Sequence, residues 1–172
     1  MIELNIIDQK IEHVDYAERL CKDSYIKDST IASSSFFGTD LSDTKIERST
    51  VHSSRLSGAK LVNCLIVYSK FSSSKINAAS FFEAELKEVL FKECDLKNAD
   101  FRTASLEKVT FERCDLCDCD FSHAQFKNVD IRGSKINGAR FGLDQLKGLV
   151  IDQSQATYVA LLSGVRIEDV VD

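Results

Sequence analysis

The chain has 172 residues, 44% of them hydrophobic and 28% charged, proportions that suit one soluble domain with a continuous core. A formal net charge of -5 and a pI near 5.3 argue against gripping nucleic-acid phosphates, which needs a basic face. No run approaches the roughly 18 apolar residues of a membrane-crossing helix, and the opening "MIELNIIDQK" lacks the basic and apolar regions of an export signal. A cytoplasmic location is therefore expected, with the six cysteines kept as free thiols.

A regular order governs almost the whole chain. Every fifth position from Ile26 to Ile151 is Ile, Leu, Val or Phe, and two residues before each stands a small side chain. Ser24, Ser29, Ser34 and Thr39 begin that second series; Ala124, Val129, Ser134 and Ala139 come near its end, where Asp144 and Leu149 break the rule. A period of five is neither the 3.6 of a helix nor the 2 of a strand. It suits a chain that turns a corner every five residues, with the large residue inside and the small one letting successive corners stack. Such a chain is a solenoid, in which each coil covers its neighbour. Before Ile26, Ile11 and Tyr16 keep the register while Arg19 and Cys21 fit it badly, which predicts an irregular first coil over residues 1–23.

With "GTDLS" at 38–42 and "NADFR" at 98–102, the pattern resembles the pentapeptide-repeat family over residues 24 to 151. The resemblance implies an all-β solenoid, a right-handed quadrilateral β-helix with four pentapeptides, or twenty residues, per coil. Residues twenty apart would then stack in columns at about the 4.8 Å strand spacing. One interior column reads Ile31, Val51, Phe71, Phe91, Phe111, Ile131, Ile151, and another reads Leu41, Leu61, Phe81, Phe101, Phe121, Phe141. Stacked aromatic ladders are expected in both. A surface column of Gly38, Gly58, Ala78, Asn98, Asp118 and Gly138 predicts a left-handed turn conformation there.

The stretch "ERCDLCDCDF" (112–121) carries Cys114, Cys117 and Cys119, the first two at the spacing of a zinc knuckle. In the five-residue register Cys114 and Cys119 face inward with Cys64 and Cys94, whereas Cys117 faces out. Ligands on opposite sides of a wall cannot converge on one ion, so no metal site is expected. His13, His52 and His123 are scattered, and no nucleophile-elbow, Walker, zincin or dinucleotide motif occurs. A filled interior leaves no enzyme-type pocket. The expectation is a protein without catalysis or cofactor.

After Ile151 the repeat stops. Residues 152–172 are read as a C-terminal capping segment following the repeat of residues 1–151. Asp152 and Gln155 have capping-box spacing, Ala156, Val159, Ala160 and Leu161 or Leu162 form a helical stripe, and Gly164 supplies the stop. Val165 and Ile167 alternate as a short strand. The helix is apolar on more than one face, which makes Tyr158, Leu161, Leu162 and Val165 candidate dimer contacts.

Asp130, Ile131, Arg132 and Gly133, then Asp152, Gln155, Ala156, Leu162 and Gly164, make the tail similar to that of the Qnr-type quinolone-resistance proteins. That resemblance implies tail-to-tail dimers that mimic duplex DNA and bind DNA gyrase and topoisomerase IV. The chain departs from the Gram-negative Qnr pattern in having no loop insertions, the feature that matters in those relatives for protecting gyrase, so whether the implied quinolone resistance carries over stays open. Asp95, Asp100, Asp115, Asp118 and Asp120 form the acidic strip such a mimic would present to a basic saddle. Aspartate just before the central residue is also placed to bond the turn backbone, and that structural role is the favoured one. Lys75, Lys135 and Arg140 interrupt the same columns, and Val62, Phe82, Leu65, Val67 and Tyr68 offer an apolar patch nearby. The leading expectation is a protein-binding rod with a type II topoisomerase as partner; the alternative is a scaffolding rod with an unrelated protein partner.

Overall fold

The computed structural model describes residues 2–142, 146–162 and 164–168, so the break in the pattern at Asp144 lies outside the described residues. The chain winds into the quadrilateral β-helix, with about seven coils closed by one short helix. One wall is a seven-stranded parallel sheet running from Asn5–Ile7 to Gln125–Lys127. The next is an eight-stranded sheet running from Lys10–Glu12 to Leu149–Val150. The other two walls are held by single-residue bridges, from Asp15 to Lys135 and from Leu20 to Arg140. Partners are twenty residues apart throughout, as in Ile26↔Ile46 and Phe91↔Phe111.

The first coil is regular, contrary to the expectation from Arg19 and Cys21. Asn5↔Tyr25 and Ile11↔Ile31 pair in register, and Cys21 is fully buried at a central position. Arg19 is accommodated because this coil lies at the end of the rod: it is exposed, its guanidinium 5.8 Å from the Tyr16 ring centre.

Left-handed backbone also extends beyond the glycine-rich column. It recurs at every fifth residue from Asp8 to Gly138, including His13, Tyr68 and Lys108. Each corner therefore needs it whatever residue stands there. Glycine is the low-strain occupant, and the hydrogen bonds of adjoining coils hold the others in place.

The corners are built in two ways. Between Phe36 and Thr39, or Leu96 and Ala99, a backbone bond of 3.2 or 3.0 Å closes a turn. Many corners after the three-residue strands of the N-terminal half use the inward serine instead. The Ser49 hydroxyl donates to the Glu47 carbonyl at 2.8 Å and accepts the Ser29 N–H at 3.1 Å. Ser34, Ser54 and Ser74 form an equivalent ladder on the adjacent edge. These small residues permit close stacking and also satisfy buried backbone groups.

The interior is apolar and filled. Phe81, Phe101, Phe121 and Phe141 stack at 4.7 to 5.1 Å between ring centres, as do Phe71, Phe91 and Phe111 at 5.0 to 5.1 Å. The two ladders meet edge-on, Phe101 to Phe111 at 5.8 Å and 85°. Toward the N-terminus aliphatic residues replace them, and a void lined by Ile31, Val51 and Phe71 amounts to about 10 Å³.

Helix α1 (Gln153–Leu162) closes the C-terminal end. The capping box forms as expected: Asp152 accepts the Ser154 and Gln155 N–H groups at 2.8 and 3.2 Å, and its own N–H reaches Gln155 Oε1 at 3.0 Å. Gly164 ends the helix with φ near +80°. The inward stripe is Gln155, Tyr158, Val159 and Leu162, whereas Ala156, expected there, is exposed. No strand forms at Val165 and Ile167 among the described residues, which stand exposed beyond Gly164.

Candidate functional site

The five aspartates of the strip come together across two coils. Asp95 bridges to Asp115 and Asp100 to Asp120, while Asp118 stands exposed at the corner between them. Each bridging carboxylate first serves its own turn. Asp95 accepts the Lys97 N–H at 3.2 Å, Asp100 the Arg102 N–H at 3.0 Å, Asp115 the Cys117 N–H at 3.2 Å and Asp120 the Ser122 N–H at 2.9 Å.

Cations then cover most of the strip. Arg102 meets Asp100 at 2.8 Å, Lys97 meets Asp115 at 3.3 Å, and Arg140 meets Asp120 at 2.9 Å. Lys135 stands 4.0 Å from Asp115. Burial opposes ionisation of Asp115 and Asp120. The neighbouring Cys117 and Ser122 donors outweigh it, with Lys97 and Arg140, and hold both carboxyls below their ordinary range. Among the described residues Asp95 has no ion pair. Lys135 and Arg140 were legible as interruptions of the columns. The cover from Arg102 and Lys97 was missed, although a cation two residues after a bridging aspartate lies on the same wall.

The apolar patch is only partly open. Val62, Leu65, Val67 and Phe82 are half-buried, with Tyr68 exposed, and the Arg102 guanidinium lies 5.6 Å from the Phe82 ring centre.

Of the candidate dimer contacts, two are engaged within the chain. The Tyr158 hydroxyl donates to the Ala139 carbonyl at 3.0 Å, and Leu162 is half-buried. Leu161 and Val165 are each 52% exposed, with Ile167 beside them.

Cys94 and Cys114 continue the serine ladder. The Cys114 N–H donates to the Ser134 hydroxyl at 3.0 Å, and the Cys114 thiol points to the Phe91 carbonyl at 3.4 Å. The Cys119 thiol donates to the Leu96 carbonyl at 3.0 Å from a different corner, while Cys117 sits half-buried on the outside. Among the described residues no three His, Cys, Asp or Glu side chains gather as a metal site would require, and no helix is long and apolar enough to cross a membrane.

A solenoid of stacked five-residue corners defines the class. The chain belongs to the pentapeptide-repeat family, whose repeat-region pattern matches residues 24–101 and 69–141. No curated protein matches it. Among solved structures it is similar to HetL from the cyanobacterium Nostoc sp. strain PCC 7120, a protein involved in heterocyst differentiation regulation, at 13% identity. That alignment covers 86% of this chain and 87% of the other, with a TM-score of 0.39. Full-length QnrB1, a plasmid-mediated fluoroquinolone resistance protein, aligns at 16% identity over 96% and 99% of the two chains, with a TM-score of 0.35. A thylakoid-lumen pentapeptide-repeat protein of Arabidopsis thaliana is 26% identical over 73% and 77%, again with a TM-score of 0.39. Superpositions this loose add nothing to the functional reading.

Proposed function

We propose that the chain is a non-enzymatic, cytoplasmic rod that binds another protein through its outward columns. The filled interior carries this reading. The central residues from Ile26 to Ile136 are buried, except for half-buried Phe126, so the outer surface holds the chemistry available to a partner. The partner proposed is a type II topoisomerase, DNA gyrase or topoisomerase IV, with Asp95, Asp100, Asp115, Asp118 and Asp120 set against its basic DNA-binding surface. The Qnr-like tail supports that choice. In such a complex a second copy covers Leu161, Val165 and Ile167, lengthening the rod.

Supercoiling assays test this reading. The chain at micromolar concentration is expected to inhibit its host's gyrase, to compete with DNA and to lose effect as salt rises. Lysine at Asp95, Asp100, Asp115 and Asp120 together abolishes inhibition, with alanine variants and circular dichroism controlling for loss of the turns. Leu161→Glu gives monomers in sedimentation that inhibit less well. Wild-type protein that leaves both enzymes untouched gives the assignment to a scaffolding rod. The ion pairs that already neutralise Asp100, Asp115 and Asp120 favour that second reading.

A further inference from the structure

A groove of about 540 Å³ follows another edge of the rod, across the first four coils. Its floor is the corner column His13, Ser33, Ser53, Ser73, and one wall is the adjoining column Asp15, Ser35, Arg55, Lys75. The Ser33 and Ser53 N–H groups are spent on the His52 and Ser72 carbonyls at 3.1 and 3.0 Å. Ser33, Ser53 and Ser73 are exposed, and the Ser53 hydroxyl lies 3.4 Å from His52 Nδ1.

Arg55 and Lys75 are bridged neighbours, stacked like on like, and both are exposed. Like charges directly opposed across a ladder are destabilising. Elsewhere the rod repeatedly sets opposite charges one coil apart: Arg48 on Asp28 at 2.6 Å, Lys108 on Glu88 at 2.8 Å, Lys127 on Glu107 at 3.0 Å. The stacked aspartates of the acidic strip recruit cations from their own surroundings. Arg55 and Lys75 recruit nothing: neither takes part in any ion pair among the described residues. Asp95, next in the column, accepts the Lys97 N–H, and Asp15, at the far end, the Ala17 N–H at 2.9 Å, and among the described residues neither carboxylate lies within ion-pair distance of Arg55 or Lys75. Arg55 is also held in place, its guanidinium 4.0 Å from the Phe37 ring centre.

Two cations without an ion-pair partner among the described residues, one of them fixed over an aromatic ring, beside exposed serines suit a compact anion. We propose that this groove binds the phosphoryl group of a phosphorylated peptide, with Arg55 and Lys75 as counter-ions and Ser35 and Ser53 as hydroxyl donors. Three coil steps give the groove a length of about 14 Å, more than a free phosphate fills and enough for about four extended residues. The groove adjoins the acidic strip at Lys75 and Asp95 but is lined by none of its five aspartates, so the proposal stands whether or not a topoisomerase binds there.

The test titrates the full chain with a fluorescent phosphoserine peptide, its unphosphorylated twin, and inorganic phosphate. The phosphorylated form is expected to bind at least ten-fold tighter than its twin. Arg55→Glu and Lys75→Glu should each remove that preference with circular dichroism unchanged, while Lys108→Gln, which alters a cation outside the groove, leaves it intact. Equal binding of the two peptides, or a preference that survives Arg55→Glu, overturns the site. Binding of inorganic phosphate with no preference for the phosphopeptide overturns the peptide assignment. Wild-type dimers that Arg55→Glu dissociates, without phosphate binding, would show that a second copy's carboxylates fill the groove instead.

Discussion

Cys117 is the one cysteine with an open path to solvent, and its chemistry is slower than its position suggests. Burial and the adjacent Asp115 carboxylate push its thiol up, and burial holds the inward Cys64 and Cys119 thiols up at about 12. A thiol reagent should therefore modify a single cysteine in the native protein, faster as the pH rises from 7 toward 9, and all six after denaturation; mass spectrometry counts them. Fully buried Cys21 belongs with the protected set. In the core, Phe101→Ala opens a gap in a stacked ladder and should cost about 3–5 kcal/mol in denaturant unfolding. Arg102→Ala, beside it but exposed and joined only to surface groups, should leave the unfolding midpoint almost unchanged. The inward set was legible because the register never slips: the column Ser34, Ser54, Ser74, Cys94, Cys114, Ser134 already reads as one kind of rung. What the rungs do was not legible, since periodicity reports a small side chain and not the backbone group it satisfies.

Helix α1 shows where hydrophobic patterning misleads. Its most buried residue is polar: the Gln155 amide donates to the Ile131 and Ser134 carbonyls at 2.7 and 2.8 Å, closing groups that a further coil would otherwise have covered. An apolar stripe drawn through Ala156 and Ala160 could not reveal this, because the helix faces backbone edges as well as side chains. Gln155→Ala should lower stability by about 1–3 kcal/mol through the unpaired carbonyls. Gln155→Glu should cost more, since a carboxylate brings no donor and repels them. Thermal unfolding of the two variants checks the order. The turns show the same gap between pattern and physics. Glycine at Gly38, Gly58 and Gly138 marked one column, yet the left-handed conformation belongs to every corner. At Gly138 alone among these three a side chain would also collide with a neighbour, the carboxylate of Asp118.

Across the whole molecule, polar side chains tie coil to coil. Hydrogen bonds from Arg48, Tyr25, Arg113 and Lys127 hold the carboxyls of Asp28, Glu47, Glu93 and Glu107 on adjoining coils below their ordinary range, and Arg132 does the same for Asp130 within one coil. A folded-state value below the unfolded one stabilises the rod above the ordinary carboxylate range, and that gain disappears as acid protonates these groups. Urea midpoints should therefore be flat between about pH 6 and 8 and fall steeply below about pH 4. The architecture was legible end to end because each level of the pattern agreed with the next. The acidic strip was legible only as a set of positions. Its neutralisation depends on how far Lys97, Arg102 and Arg140 reach along the surface, which columns of letters do not encode.

Pairing at a constant separation of twenty residues also fixes how the rod responds to mechanical load. Each coil is laced to the coil before it and the coil after it, from Asn5↔Tyr25 onward. Pulled by its two ends, such a molecule peels like a spring unwound from one end. Each yielding coil frees twenty residues, about 70 Å of slack at full extension. The force trace would be a sawtooth of evenly spaced teeth, with α1 latching the end at which peeling is hardest to begin.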